Sequence, residues 1–292
     1  MKANDVEREM NMEKTLRKYG AIFTGPTLIA FFIAFAIPFA MGLYLSFCEF
    51  TTVTNAKWVG LENYVKAFSA RQGFGDAFIF TAIFTIVAIV TINVFAFTIA
   101  LLLTRKLKGT NLFRTVFFMP NLIGGIVLGY TWQTMINAVL ANYGTTLVAN
   151  AKFGFIGLVI LMNWQMIGYM MIIYIAGLQN VPPELIEAAK IDGATSWQIL
   201  FKVKIPMVMP SITICMFLTL SNCFKLFDQN LALTNGAPMH KTEMLALNIF
   251  NTFYGKSSYE GVGQAKAVIF FIIVAVIALG QLRATRSREV EQ

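Results

Sequence analysis

The chain has 292 residues, of which 57% are apolar and only 13% charged, about half the charged share of an ordinary soluble domain. Twenty-seven Phe, 15 Met, 21 Gly and a mean hydropathy of +0.65 describe helices solvated by lipid, and they exclude a disordered chain or a coiled coil. The formal charge of +8, from 23 basic and 15 acidic groups, would elsewhere point to nucleic acid; here it is an orientation signal, and no nucleic-acid partner is expected.

A helix needs about 20 mainly apolar residues to cross the hydrocarbon layer. Six stretches meet that length: 22–47, 77–103, 117–136, 153–178, 207–227 and 262–282. The expected fold is therefore an all-α integral membrane protein of about six transmembrane helices. A tail at 1–21 precedes the membrane domain at 22–282, and a second tail follows at 283–292. The first stretch is too long for a secretory signal, carries Pro26 and Pro38, and lacks a following Ala-x-Ala site, so it is expected to stay attached. The third carries Gly124, Gly125 and Gly129, and the spacing of the last two allows close backbone approach to a neighbouring helix.

Basic residues set the orientation. Lys2, Arg8, Lys14, Arg17 and Lys18 in the first tail share a side with Arg105, Lys106, Lys108 and Arg114 after the second span. Lys190, Lys202 and Lys204 after the fourth span and Arg283, Arg286 and Arg288 in the last tail fall there too. The opposite side holds Lys57, Lys66, Arg71, Lys152, Lys225, Lys241, Lys256 and Lys266, with Lys152 alone in the short loop after the third span. Both termini are thus expected in the cytoplasm, in a multi-pass protein of a prokaryotic plasma membrane.

Ionisable groups inside a membrane are costly and usually mark transport chemistry. Glu49, Asp76 and Asp228 fall at predicted helix ends and no carboxylate falls at a helix centre, so an ion relay has no residues to run on. Lys225, near the outer end of the fifth span, is expected to snorkel to the interface or pair with Asp228. His240, the only imidazole, lies in the last external loop, away from any nucleophile; Cys48, Cys215 and Cys223 read as free thiols, and no metal cluster is indicated. Gly255-Lys256-Ser257 imitates the end of a phosphate-binding loop, but that motif requires Gly at 250, where Phe stands. The chain reads as a non-enzyme with no nucleotide site or cofactor of its own, so that any ATP and Mg would be bound by another subunit.

The connection at 179–206 is too long for a simple turn and should carry structure and a task. Pro182 and Pro183 open a helix, Glu184 and Glu187 suit its positive end, and Gly193 closes it at positive φ. Thr195 and Gln198 form a capping box for a second helix that runs to Ile205 and Pro206. Leu185, Glu187, Ala188 and Ala189 give the first helix a lightly built surface suited to a partner's groove. The alternative, a helix lying on lipid, is disfavoured because Glu184, Glu187 and Asp192 balance Lys190, Lys202 and Lys204.

Glu187-Ala188-Ala189, three residues, Gly193, nine residues and Val203-Lys204-Ile205-Pro206 resemble the "EAA" signature of the membrane subunits of binding-protein-dependent ABC importers. The string YIAGLQNVPPELIEAAKIDGATSWQILFKVKIP is similar to the carbohydrate branch, the MalF/UgpA-type permeases; the likeness extends to FRTVFFMPNLI at 113–123 and LTNGAP at 233–238. Val203 and Ile205 replace the usual Ile and Leu, and Asn235 stands where Gly is common. The resemblance implies that the loop is a coupling helix seated in a cleft of a cytoplasmic ATPase, with Glu187, Ala188, Ala189, Asp192, Gly193 and Pro206 as coupling residues and Glu187 facing a basic group. It implies as partners two ATPase subunits, a second homologous permease, an extracellular solute-binding protein, membrane lipid and a carbohydrate substrate. Path candidates are polar or aromatic groups within spans: Asn93, Asn121, Trp132, Gln133, Asn163, Trp164, Gln165 and Asn222. An ion-coupled secondary carrier is the alternative reading; it would need inverted repeats and intramembrane carboxylates, neither of which is found.

Overall fold

The computed structural model describes residues 19, 20, 22–105 and 108–286. The basic groups of the first tail, Lys106 and Arg288 lie outside these residues. The first helix, α1 (Ile22–Leu45), is followed by a two-stranded antiparallel ribbon of β1 (Cys48–Glu49) and β2 (Lys57–Trp58), in which Cys48 opposes Trp58. Then come α2 (Glu62–Ala67), the long α3 (Phe74–Leu103), α4 (Thr110–Phe118), α5 (Gly125–Ala141) and α6 (Ala151–Gln179). After α7 (Pro183–Ile191) and α8 (Ser196–Met207) the chain continues through α9 (Met209–Phe224), α10 (Asp228–Leu233), α11 (Leu245–Gly255) and α12 (Glu260–Arg286).

The core is built on the pair α3 and α6. Ala88, Ile92, Ala96 and Ala100 recur every fourth residue on one face of α3 and are wholly buried. Three alanines on that stripe let the two backbones approach, and the unbranched Met162, Met166, Met170 and Met171 of α6 fill what remains. The opposite face of α3 presents Ile79, Ile83, Ile86, Val90 and Val94 outward, and α12 does the same with Phe271, Ile272, Val276 and Leu279. Apolar faces of this extent need lipid as their solvent. In α1 no residue of the most apolar stretch is buried; its later half meets α12, where the Phe39 ring stands 5.2 Å from that of Phe271 and Gly42 lies against Gln264. All three cysteines are free and buried.

Four expected spans appear as unbroken helices: 22–45, 74–103, 151–179 and 260 onward. The third and fifth do not. The expected helix 117–136 is instead two pieces, Thr110–Leu122 and Gly125–Ala141, bent by 101°. Pro120 tightens the first piece into a 3₁₀ turn, and Ile123 and Gly124 then adopt extended backbone, ψ 132° and 140°. Gly125 and Gly129 do allow close approach, but to α10: a Cβ on Gly129 would stand 2.5 Å from that of Ala232.

The expected fifth span, 207–227, is also divided. A 71° bend at Val208 separates α8 from α9, and α9 stops at Phe224, too short at 16 residues to cross alone. Residues 225–227 turn the chain into α10, which runs along α5 with Asp228 beside Gly125 and the Leu233 carbonyl accepting from Gln133 Nε2 at 2.8 Å. The third and fifth spans thus break at one level. Gln165, the midpoint of α6, accepts a bond from Gln229 Nε2 at 2.7 Å and donates to the Ile123 carbonyl at 3.4 Å, which places both breaks at half the height of the bundle.

Candidate coupling loop and transport cavity

Residues 182–208 form one continuous, tightly specified element. Pro183 takes the first position of α7 and Glu184 its first turn. At the other end Gly193, at φ +77°, closes the helix: its N–H donates to Lys190 O at 3.1 Å and the Ala194 N–H donates to Ala189 O at 2.9 Å. A side chain at 193 would meet open space, so the requirement for glycine is conformational. The capping box is formed, with Gln198 N–H donating to Thr195 Oγ1 and Thr195 N–H donating to Gln198 Oε1. A π-helical turn at Leu200–Lys204 precedes Pro206, which lies two residues before the bend at Val208.

The loop presents two faces. Ile186 packs inward on the main core, whereas Leu185, Glu187, Ala188, Ile191 and Asp192 are exposed and Ala189 is half-buried. Ile191, 86% exposed, is an apolar side chain with nothing yet to cover it.

At the level of the two span breaks lies a cavity of about 350 Å³. Asn121 reaches it from the third-span break, Gln165 and Tyr169 from α6, Asn222 from the end of α9, and Lys225, Asp228 and Gln229 from the fifth-span break. Irregular backbone at membrane depth is tolerated where it lines a cavity of this kind. Three of the eight path candidates, Asn121, Gln165 and Asn222, meet here. Lys225 does not sit at an outer helix end: the early stop of α9 puts it on the cavity wall, where it and Asp228 make no ion pair with each other.

The other five candidates do not line this cavity and make contacts between helices. Asn93 donates to Thr219 Oγ1 at 3.3 Å and accepts from the Tyr174 hydroxyl at 2.7 Å, joining α3, α6 and α9. Gln133 is bound to Leu233 O, Trp132 and Trp164 meet edge to face at 5.6 Å, and Asn163 donates to Thr91 Oγ1 at 2.9 Å. Such inter-helix bonds are the commoner use of amides in lipid.

Lys266 is the residue that counting charges along the chain misplaces. Counted with the outer-side charges although it falls inside the expected span 262–282, it lies in α12, wholly buried, with its Nζ donating to Thr252 Oγ1 at 2.7 Å, Asn248 Oδ1 at 2.8 Å and Gln72 O at 3.2 Å. These bonds tie the sixth span to α11 and to the turn before α3. Replacing Lys266 with Met keeps the length of the side chain but leaves Asn248 Oδ1 and Thr252 short of a partner. It is expected to destabilise the full chain in detergent by about 2 kcal/mol, read as a lowered thermal midpoint.

Asn235, at φ +46°, accounts for one departure in the LTNGAP segment: asparagine is among the few side chains that tolerate the left-handed region.

The sequence profile of the family described as "binding-protein-dependent transport system inner membrane component" matches residues 109–285. The chain belongs to this family of membrane permeases and is a transport component rather than an enzyme. Among its relatives, AmyD of Thermoanaerobacterium thermosulfurigenes, a probable starch degradation products transport system permease, is 45% identical, with 92% of this chain and 94% of that protein covered. MsmF of Streptococcus mutans, a multiple sugar-binding transport system permease, is 32% identical over 96% of this chain and all of that one. The fold is shared with a bacterial ABC transporter involved in import of the acidic polysaccharide alginate, at a TM-score of 0.80, 19% identity and coverage of 95% and 99%.

Proposed function

We propose that this chain is the permease subunit of an ATP-driven importer that carries a sugar or oligosaccharide across the cytoplasmic membrane, with both termini and residues 182–207 on the cytoplasmic side. One observation supports this reading above the rest. A single element runs from the exposed loop α7–α8, through the bend at Val208, along α9 to Asn222 and Lys225 on the cavity wall. A partner that grips the loop therefore pulls on the wall of the cavity. Glu187, Ala188, Ala189, Asp192 and Gly193 are the proposed grip, Pro206 shapes the lever, and separate ATPase subunits supply the motion. The amides of Asn121, Gln165, Asn222 and Gln229 suit the hydroxyls of a carbohydrate. A second permease closes the path, and an external binding protein delivers the substrate; the names of AmyD and MsmF point to the same substrate class.

Reconstitution tests this directly. Vesicles containing the chain with its sister permease, ATPase and binding protein are expected to accumulate labelled sugar only with internal or accessible ATP. Accumulation by this chain alone under an ion gradient would instead establish a secondary carrier. In the complete assembly Gln165→Leu is expected to weaken sugar uptake about three- to ten-fold through KM, the worth of one neutral hydrogen bond. Asn93→Leu is expected to alter stability without changing KM.

A further inference from the structure

A second groove, of about 420 Å³, lies between the end of α3 and the inner face of α7–α8. Arg105, Lys190 and Lys204 line it together with Thr104, Ser196 and Trp197, and among the described residues no acidic one does. Glu184, Glu187 and Asp192, which balance the basic groups when charges are counted along the loop, do not reach the groove. The helical spacing of Ile186 and Lys190 turns these two toward α3, so the fold separates what the sequence mixes. None of the three basic side chains makes an ion pair with a described residue. Beside the groove Trp197 and Phe201 stack at 5.9 Å while remaining 70% and 58% exposed. Exposed aromatic rings at the ends of spans are the usual furniture of the lipid headgroup level.

We propose that this groove binds the phosphate of an anionic phospholipid, with Arg105, Lys190 and Lys204 around the headgroup and Trp197 and Phe201 against its glycerol and upper acyl chain. Placing that lipid in the cytoplasmic leaflet rests on the orientation proposed above. The lipid is favoured over the ATPase as occupant because the groove opens on the inner side of α7, away from Ala188 and Asp192. Bound there, it pins the loop against α3, so that the loop moves with the span.

The test uses the full chain in detergent with photoactivatable phosphatidylglycerol, and phosphatidylcholine carrying the same label, followed by mapping of adducts by mass spectrometry. Phosphatidylglycerol adducts are expected on peptides containing 101–105 and 186–204. Each lost basic group should weaken labelling about five-fold, and R105Q/K190Q/K204Q about 100-fold. The single variant Lys190→Gln serves should the triple variant fail to fold, and K57Q/K66Q/R71Q at the opposite end should label as the unaltered chain does. Equal labelling by phosphatidylcholine, or displacement by inorganic phosphate or by purified ATPase, would overturn the proposal. Glu187→Lys separates the two readings: loss of ATP-driven uptake with labelling intact upholds both, while intact uptake in that variant defeats the coupling role and leaves the lipid site standing.

Discussion

Replacing Gly168 with alanine is expected to force α4 away from α6 and to be among the most damaging single-methyl changes in the chain. A Cβ at 168 would stand 1.8 Å from the carbonyl oxygen of Phe117 and 2.3 Å from its carbon. The obstruction is backbone, which has no rotamer to escape into. Overpacking usually costs about 1–3 kcal/mol, and a clash with a fixed main chain belongs at or above the top of that range. The same contact sets the height at which the third span breaks, so a shift of Phe117 also displaces Asn121 on the cavity wall. Thermal unfolding of the purified chain measures the first effect, and sugar KM in the reconstituted importer the second. Gly280→Ala provides the comparison, since nothing lies within 4 Å of a Cβ there; it should be neutral or slightly stabilising. Equal midpoints for the two variants would show that α4 does not press on α6 as described.

The largest functional loss is expected from Glu187→Lys and Gly193→Trp in the proposed coupling loop. At φ +77° any L side chain costs about 1–2 kcal/mol, and relief of that strain breaks the two hydrogen bonds that close α7. The angle between α7 and α8 is then no longer fixed, and a partner moving α7 no longer moves α9 by the same amount. ATP-driven uptake should fall by ten-fold or more while ATPase still co-purifies. Glu187→Lys leaves the helix intact and reverses a charge on its exposed surface, so it should remove ATPase co-purification as well as uptake. Undiminished uptake in Glu187→Lys would defeat the proposed coupling role.

What could be read in advance had local causes. Pro183, Gly193, Thr195 and Gln198 each specify a helix end through their own backbone and side-chain chemistry, and the structure forms each end there. The four unbroken spans were legible for a related reason, since length and hydropathy suffice where lipid is the solvent. The two breaks were not. Pro120 and Gly124 are visible in the sequence, but glycine in a membrane helix signals packing as readily as interruption, and Gly129 is indeed used for packing. The turn at 225–227 has neither Pro nor Gly to announce it. Its only signal was polar, Lys225 and Asp228 together, and placing α9's end at the membrane surface hid their meaning. Lys266 failed for want of partners: a lysine just inside a predicted span end counts as a surface charge until Gln72, Asn248 and Thr252 arrive from distant segments to surround its amine. The cavity likewise draws on three stretches of chain, and no periodicity within any one of them encodes it.

The burial of all three thiols has a practical consequence for watching this machine move. Water-soluble maleimides and spin labels require an accessible sulfur, and Cys48, Cys215 and Cys223 offer none in the folded chain. The native molecule is therefore already a silent background for spectroscopy. A single cysteine introduced at exposed Ile191 and another at exposed Tyr143 on the opposite end would report, by the distance between two labels, how far the proposed lever swings during a turnover.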